Sequence, residues 1–126
     1  MKKLTTTDLL KRKEQYKVKD DVKEDVYIER LDATITIKKP DRALCMDALQ
    51  LTKDEQGSNA DVFLVYNVVV EPNLKDKELQ KEFGCVEPSD IVEKIFDAGE
   101  IMQLSQIALE LSGYNSGVKR VKDLKN

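Results

Sequence analysis

Histidine is missing from this chain, and glycine and proline are scarce at five and three residues. The first absence removes the usual general base near neutral pH and the commonest zinc ligand. No glycine-rich phosphate loop and no metal-ligand spacing compensates, so no cofactor is implied and an enzyme is disfavoured. Carboxylates are plentiful, at 24 Asp and Glu, but that number on a soluble surface needs no catalytic explanation. Only two cysteines occur, Cys45 and Cys85, far apart in sequence. Without a base beside them they read as buried free thiols, small apolar residues of the core. No apolar run reaches the roughly 20 residues that cross a bilayer. The opening MKKLTTTDLLKRK lacks the apolar centre of a secretory signal. These absences point to the cytoplasm and away from the membrane.

What is present suits one domain. A length of 126 residues with 40% apolar and 36% charged residues supplies one core and a soluble surface. The net charge of −3 is unevenly spread. Residues 1–19 hold seven Lys/Arg against two acids, residues 118–126 hold four against one, and the acidic excess lies between. A basic arm can contact nucleic acid. Here it has the single aromatic Tyr16 and no stacking pattern, and an acidic body repels phosphate. Nucleic acid is therefore a disfavoured partner, whereas an acidic protein surface suits the same arm.

Local signals outline the elements. Thr5 followed by Asp8 predicts an N-capped short helix running to about Tyr16. Val26 and Ile28, then Ile35 and Ile37, alternate with polar residues, which predicts a β-hairpin joined around Leu31, Asp32 and Ala33. That connection contains no glycine, so no turn type follows. Pro40 suits the first turn of a helix carrying Leu44, Ala48 and Leu51 on one side, with Cys45 and Leu49 beside them. QGSNA, residues 56–60, reads as a loop.

The block DVFLVYNVVV is apolar from 62 to 70 except at Asn67. Periodicity cannot separate a buried helix from a buried strand there, and its five valines vote for strand. After Pro72 the pattern is helical. LKDKELQKEF offers Leu74, Leu79 and Phe83, Gly84 suits its left-handed terminus, and Pro88 opens a helix burying Ile91, Val92, Ile95 and Phe96. A last helix from about Gly99 to Gly113 carries the stripe Ile101, Leu104, Ile107, Ala108 and Leu111. Met102 and Leu109 fall off that stripe, so this helix is either buried on two sides or offers a second apolar strip to a partner. The expected fold class is α+β: one mostly helical domain over 1–126, an N-terminal β-hairpin packed on helices, and frayed basic ends at about 1–19 and 118–126.

The ordered succession YNVVVEPNLKDKELQ, CVEPSDIVEKIFDAGEI, LSQIALELSGY and VKDLKN closely resembles the tail assembly chaperones of phages and prophages, in particular the XkdN-like group. The resemblance implies a non-enzymatic protein that binds the long, helical, apolar-rich tape-measure protein and keeps it soluble until the tail tube forms. It makes the valines core beneath the helices and EPNL the corner that aims them. Met102, Leu109, Pro72 and Leu74 are then the candidate partner-binding residues. Replacing Met102 and Leu109 together by serine is expected to weaken partner binding with little change in thermal midpoint. Self-association is a further candidate partnership, and the resemblance implies a longer form made by ribosomal slippage. A slippery site at Lys125-Asn126 would need an AAA lysine codon, an AAC or AAT asparagine codon, and a Leu124 codon ending in A. A small prophage regulatory or nucleic-acid-binding protein, and a structural tail completion component, are the alternatives.

Overall fold

The structure, a computed structural model, describes residues 1–53 and 59–124. Thr5 caps the first helix, α1 (Thr6–Lys11). Its hydroxyl accepts from the Asp8 N–H at 3.2 Å while the Asp8 carboxylate accepts from the Thr5 N–H at 3.0 Å, satisfying two donors that a helix start leaves open. The helix breaks at Arg12 and resumes as α2 (Lys13–Tyr16). Neither helix buries a residue. The basic N-terminal segment expected to fray is thus capped and helical, yet packed on nothing substantial.

The hairpin forms as β1 (Lys23–Ile28) and β2 (Ala33–Lys38), paired antiparallel with Val26 opposite Ile35 and Tyr27 opposite Thr34. Ile28, Ile35 and Ile37 are buried and Tyr27 is exposed, the two-face alternation that a half-buried strand requires. The connection is a 3₁₀ turn, Glu29–Leu31, closed by Asp32 in the left-handed region at φ 46°. Aspartate tolerates that conformation better than most residues. Its carboxylate is held there by the Tyr27 hydroxyl, which donates to Oδ1 at 2.7 Å. Asp32 therefore takes the place of the missing glycine.

Helix α3 (Arg42–Lys53) starts on Asp41, whose carboxylate accepts from the Leu44 N–H at 2.8 Å. Pro40 lies just before this cap rather than in the first turn, with its ring buried. Its carbonyl accepts from the Ser112 hydroxyl at 2.7 Å. Cys45 is buried as expected, whereas Cys85 is only half-buried; both are free.

The valine block resolves as helix α4 (Asn59–Val68) followed at once by strand β3 (Val69–Glu71). The strand propensity of valine is overruled over most of its length. No residue from Ala60 to Val70 is exposed, and α4 packs on α3, α6 (Asp90–Ile95), α7 (Ala98–Leu111) and β3. A helix that is apolar all round belongs in the middle of a fold. Only its last residues pair as strand, β3 joining the outer side of β2 to make the antiparallel order β1-β2-β3. Of the expected loop QGSNA, residues 56–58 lie outside the described residues, and Asn59 and Ala60 open α4.

Asn67, the one polar position in the block, donates to the Phe63 carbonyl at 2.9 Å and accepts from Lys75 Nζ at 2.9 Å. The Lys75 ammonium also sits 5.3 Å from the centre of the Tyr66 ring, within cation–π range. This pins the EPNL corner onto α4. Asp76 then caps α5 (Lys77–Glu82) through the Leu79 N–H at 2.9 Å, and Gly84 follows in the left-handed region at φ 68°. Helix α7 ends as anticipated, with Gly113 at φ 85°. The core gathers Ile37, Leu64, Val65, Val68, Leu74, Ile91, Val92 and Leu104 between sheet and helices.

Candidate partner-binding site

The four candidate residues have separate fates. Met102 lies in the second turn of α7 and is 62% exposed. Leu109 is half-buried and packs against the core cluster. Pro72 is half-buried at the corner after β3. Leu74 is 0% exposed, so it cannot present its side chain to a partner. It was a candidate as the last residue of the EPNL corner, but its side chain joins the core cluster. The structure also keeps these residues apart. Met102 stands beside Asp61 and Val62 at the start of α4, whereas Pro72 follows the strand leaving the other end, about 15 Å away along a ten-residue helix.

Around Met102 the first turns of α4 and α7 meet the end of α6 in a groove of about 320 Å³. Val62, Phe96, Ile101 and Met102 supply its apolar lining, and Asp61, Glu93 and Asp97 its polar rim. Among the described residues none that lines it is basic, and of its rim acids Asp97 is paired from outside by Arg30. Sequence patterns could not assemble this groove, because Val62, Glu93 and Phe96 come from different elements and each reads singly as core or solvated surface. A second exposed apolar pair, Phe83 and Val86 flanking Gly84, also escaped notice.

The groove is braced by the hairpin tip. Arg30 Nη2 donates to the Ile95 carbonyl at 2.6 Å and to Glu100 Oε1 at 3.0 Å, while Nε reaches Glu100 Oε2 at 3.1 Å and Asp97 Oδ2 at 3.2 Å. The planar fork of guanidinium matches a carboxylate bidentately. Hydrogen bonding from Arg30, and then from the Asp97 N–H, holds the Glu100 carboxyl below the usual glutamate range, and the same contact raises Arg30. Asp97 N–H donates to Glu100 Oε1 at 2.8 Å, so one carboxylate serves both the helix start and the clamp. Among the described residues there is no cluster of His, Cys, Asp and Glu able to hold a metal ion, and no helix long and apolar enough to cross a membrane.

Compared with known families, residues 6–125 match the phage XkdN-like tail assembly chaperone proteins. The chain belongs to that family. The match takes in the N-terminal helices, the hairpin and the whole helical half, so the groove and its Arg30 brace lie inside the shared region of this tail assembly chaperone family. No curated protein and no solved structure gives a significant match.

Proposed function

We propose that this chain is a non-enzymatic tail assembly chaperone that binds the tape-measure protein in the host cytoplasm and keeps it soluble during tail morphogenesis. Membership of the family supports the assembly role. The observation that carries the binding mode is the exposed Met102 over an apolar groove with an acidic rim. An amphipathic helix laid in such a groove buries anchors spaced three and four residues apart. Methionine suits a site that must accept many successive segments of a long helical client, because its side chain is unbranched and adaptable. Pro72 contributes at the edge of the corner, and Leu109 supports the outer face of α7 from below.

Co-expression with a neighbouring gene's long, helical, apolar-rich product, the tape-measure protein that this reading requires, tests the proposal directly. The neighbour is expected to shift from the insoluble to the soluble fraction and to co-purify with this chain. Met102→Ser is expected to reduce that capture while altering stability by about 0.5 kcal/mol or less, the usual range for an exposed site. Leu109 is left unchanged in this test, because its contact with the core would mix a stability loss into the result. A neighbour whose solubility is indifferent to this chain would end the client reading.

A further inference from the structure

Strand β1 is an outer strand of the sheet, with β2 on one side and no strand among the described residues on the other. The Lys39 N–H donates to the Val22 carbonyl at 2.8 Å, which makes these two a bonded pair, and bonded and non-bonded pairs alternate along an antiparallel ladder. In the register of the hairpin the bonded pairs are then Glu24–Ile37, Val26–Ile35 and Ile28–Ala33. Between them Lys23, Asp25 and Tyr27 turn their N–H and C=O groups away from β2, a template that another strand can match. The edge is six residues long, about 20 Å, without proline and in unbroken register. Where it faces α7 it borders a groove of about 380 Å³, which Val26 and Ile28 line from the strand and Leu104 and Ile107 from the helix, with Glu29 beside them. Glu24 shares the face of Val26 and Ile28 and is exposed. Neither Glu24 nor Glu29 belongs to one of the ion pairs among the described residues, whereas Glu100 is already held by Arg30.

We infer that the β1 edge is a docking site for an extended segment of another protein, added antiparallel, with apolar residues at alternate positions and a lysine or arginine at each end. Main-chain hydrogen bonds to Lys23, Asp25 and Tyr27 give such a contact its affinity, and the alternate side chains that enter the flanking groove give it specificity. Directly opposite residues of neighbouring strands share a face. Two apolar side chains of the guest therefore stand by Val26 and Ile28 against Leu104 and Ile107, and its basic ends meet Glu24 at one end and Glu29 at the other. Charge decides the class of guest, because an acidic segment would set like charges against each other at both ends. A helix cannot use the edge, since its own N–H and C=O groups are paired within it. The groove at Met102 lies on another flank of α7, lined by Asp97 and Ile101 where this one has Gln103 and Ile107, so the edge site does not rest on the client reading.

The test titrates the full chain with the end-blocked peptide Lys-Thr-Val-Thr-Val-Thr-Lys and follows the protein amides by NMR. Before peptide is added, the amides of Lys23, Asp25 and Tyr27 are expected to exchange with solvent faster than those of Glu24, Val26 and Ile28. Peptide is expected to slow that exchange and to shift these amides together with Gln103 and Ile107, saturating below about 1 mM. In the antiparallel register the threonines stand opposite Lys23, Asp25 and Tyr27 and share both backbone bonds with them. N-methylating the threonines is therefore expected to weaken binding about tenfold or more, whereas N-methylating the valines leaves it unchanged. Glu24→Lys/Glu29→Lys, at two exposed positions of the chain, is expected to weaken it about fivefold, and the same pair restores binding of a peptide with glutamate at both ends. Edge amides already protected without peptide would mean that another part of this chain or a second copy occupies the edge. That result, an absence of any shift, shifts confined to the Met102 groove, or equal losses from the two methylations would each overturn the inference. No client is present in this assay, so each of these outcomes leaves the client reading standing. Peptide binding at the edge with no effect on the neighbour's solubility would remove the client reading alone.

Discussion

Helices α1 and α4 are opposite ways of making a helix. The first is written in local chemistry: Thr5 and Asp8 close two backbone donors, and the segment is helical although none of its side chains is buried. The second ignores local preference. Val62, Val65 and Val68 favour strand, and the segment is helical because every residue from Ala60 to Val70 is at least partly covered. Local signals decide conformation where nothing competes, and burial overrides them at the centre of a fold.

Breaking the centre should therefore have the largest effect. Leu64→Ala removes a fully covered side chain from α4, and large-to-small changes of this kind cost about 2–5 kcal/mol. The thermal midpoint is expected to fall by roughly 8–20 °C for a domain of this size. A fall of only a few degrees would show that α4 is less central than described.

A cap that leads into the core should matter less. Asp41→Ala leaves the start of α3 without its side-chain acceptor, at a cost of about 1 kcal/mol. Chemical denaturation reads this as a lower midpoint with unchanged slope. No change in midpoint would mean that solvent satisfies the Leu44 N–H equally well.

The Arg30 clamp gives a smaller, pH-dependent effect. Because the Glu100 carboxyl is held low in the folded state, its contribution is complete above the ordinary glutamate range and is lost as pH falls through the lower folded value. Glu100→Gln is expected to flatten the decline of the thermal midpoint between about pH 5 and pH 3. A variant whose midpoint declines as steeply as the wild type would mean that other carboxylates carry the acid limb.

Thr5→Ala should leave the global midpoint unchanged, since α1 supports nothing else. Its effect is local: amide exchange over residues 6–11 should quicken as the cap is lost. A lowered midpoint would reveal packing of the arm on the body, and the contrast between α1 and α4 would narrow.

The same contrast explains what could be read in advance. Alternation at Val26, Ile28, Ile35 and Ile37, the Thr5–Asp8 cap, and the left-handed Gly84 and Gly113 are short-range patterns, and the α+β class with its N-terminal hairpin follows from them. The hairpin turn was not assignable because Asp32, not glycine, adopts the positive φ, stabilised by a tyrosine five residues back. That Leu74 belongs to the core was not legible, because it stands at the end of EPNL with charged residues after it. The groove was invisible because Asp61, Glu93 and Met102 meet only after three helices have packed. Met102 alone was visible, as the residue left over from the α7 stripe.

The Arg30 brace also sets an order in time. Arg30 and Glu100 are separated by 70 positions, and at about 5–20 residues per second a ribosome needs roughly 4–14 s to cover that distance. Throughout that interval the hairpin exists without its anchor, and α4 is made before the α7 that covers it. A newly made copy therefore passes through a stage in which its own most apolar helix lacks its cover, and only synthesis of the last helix ends that stage.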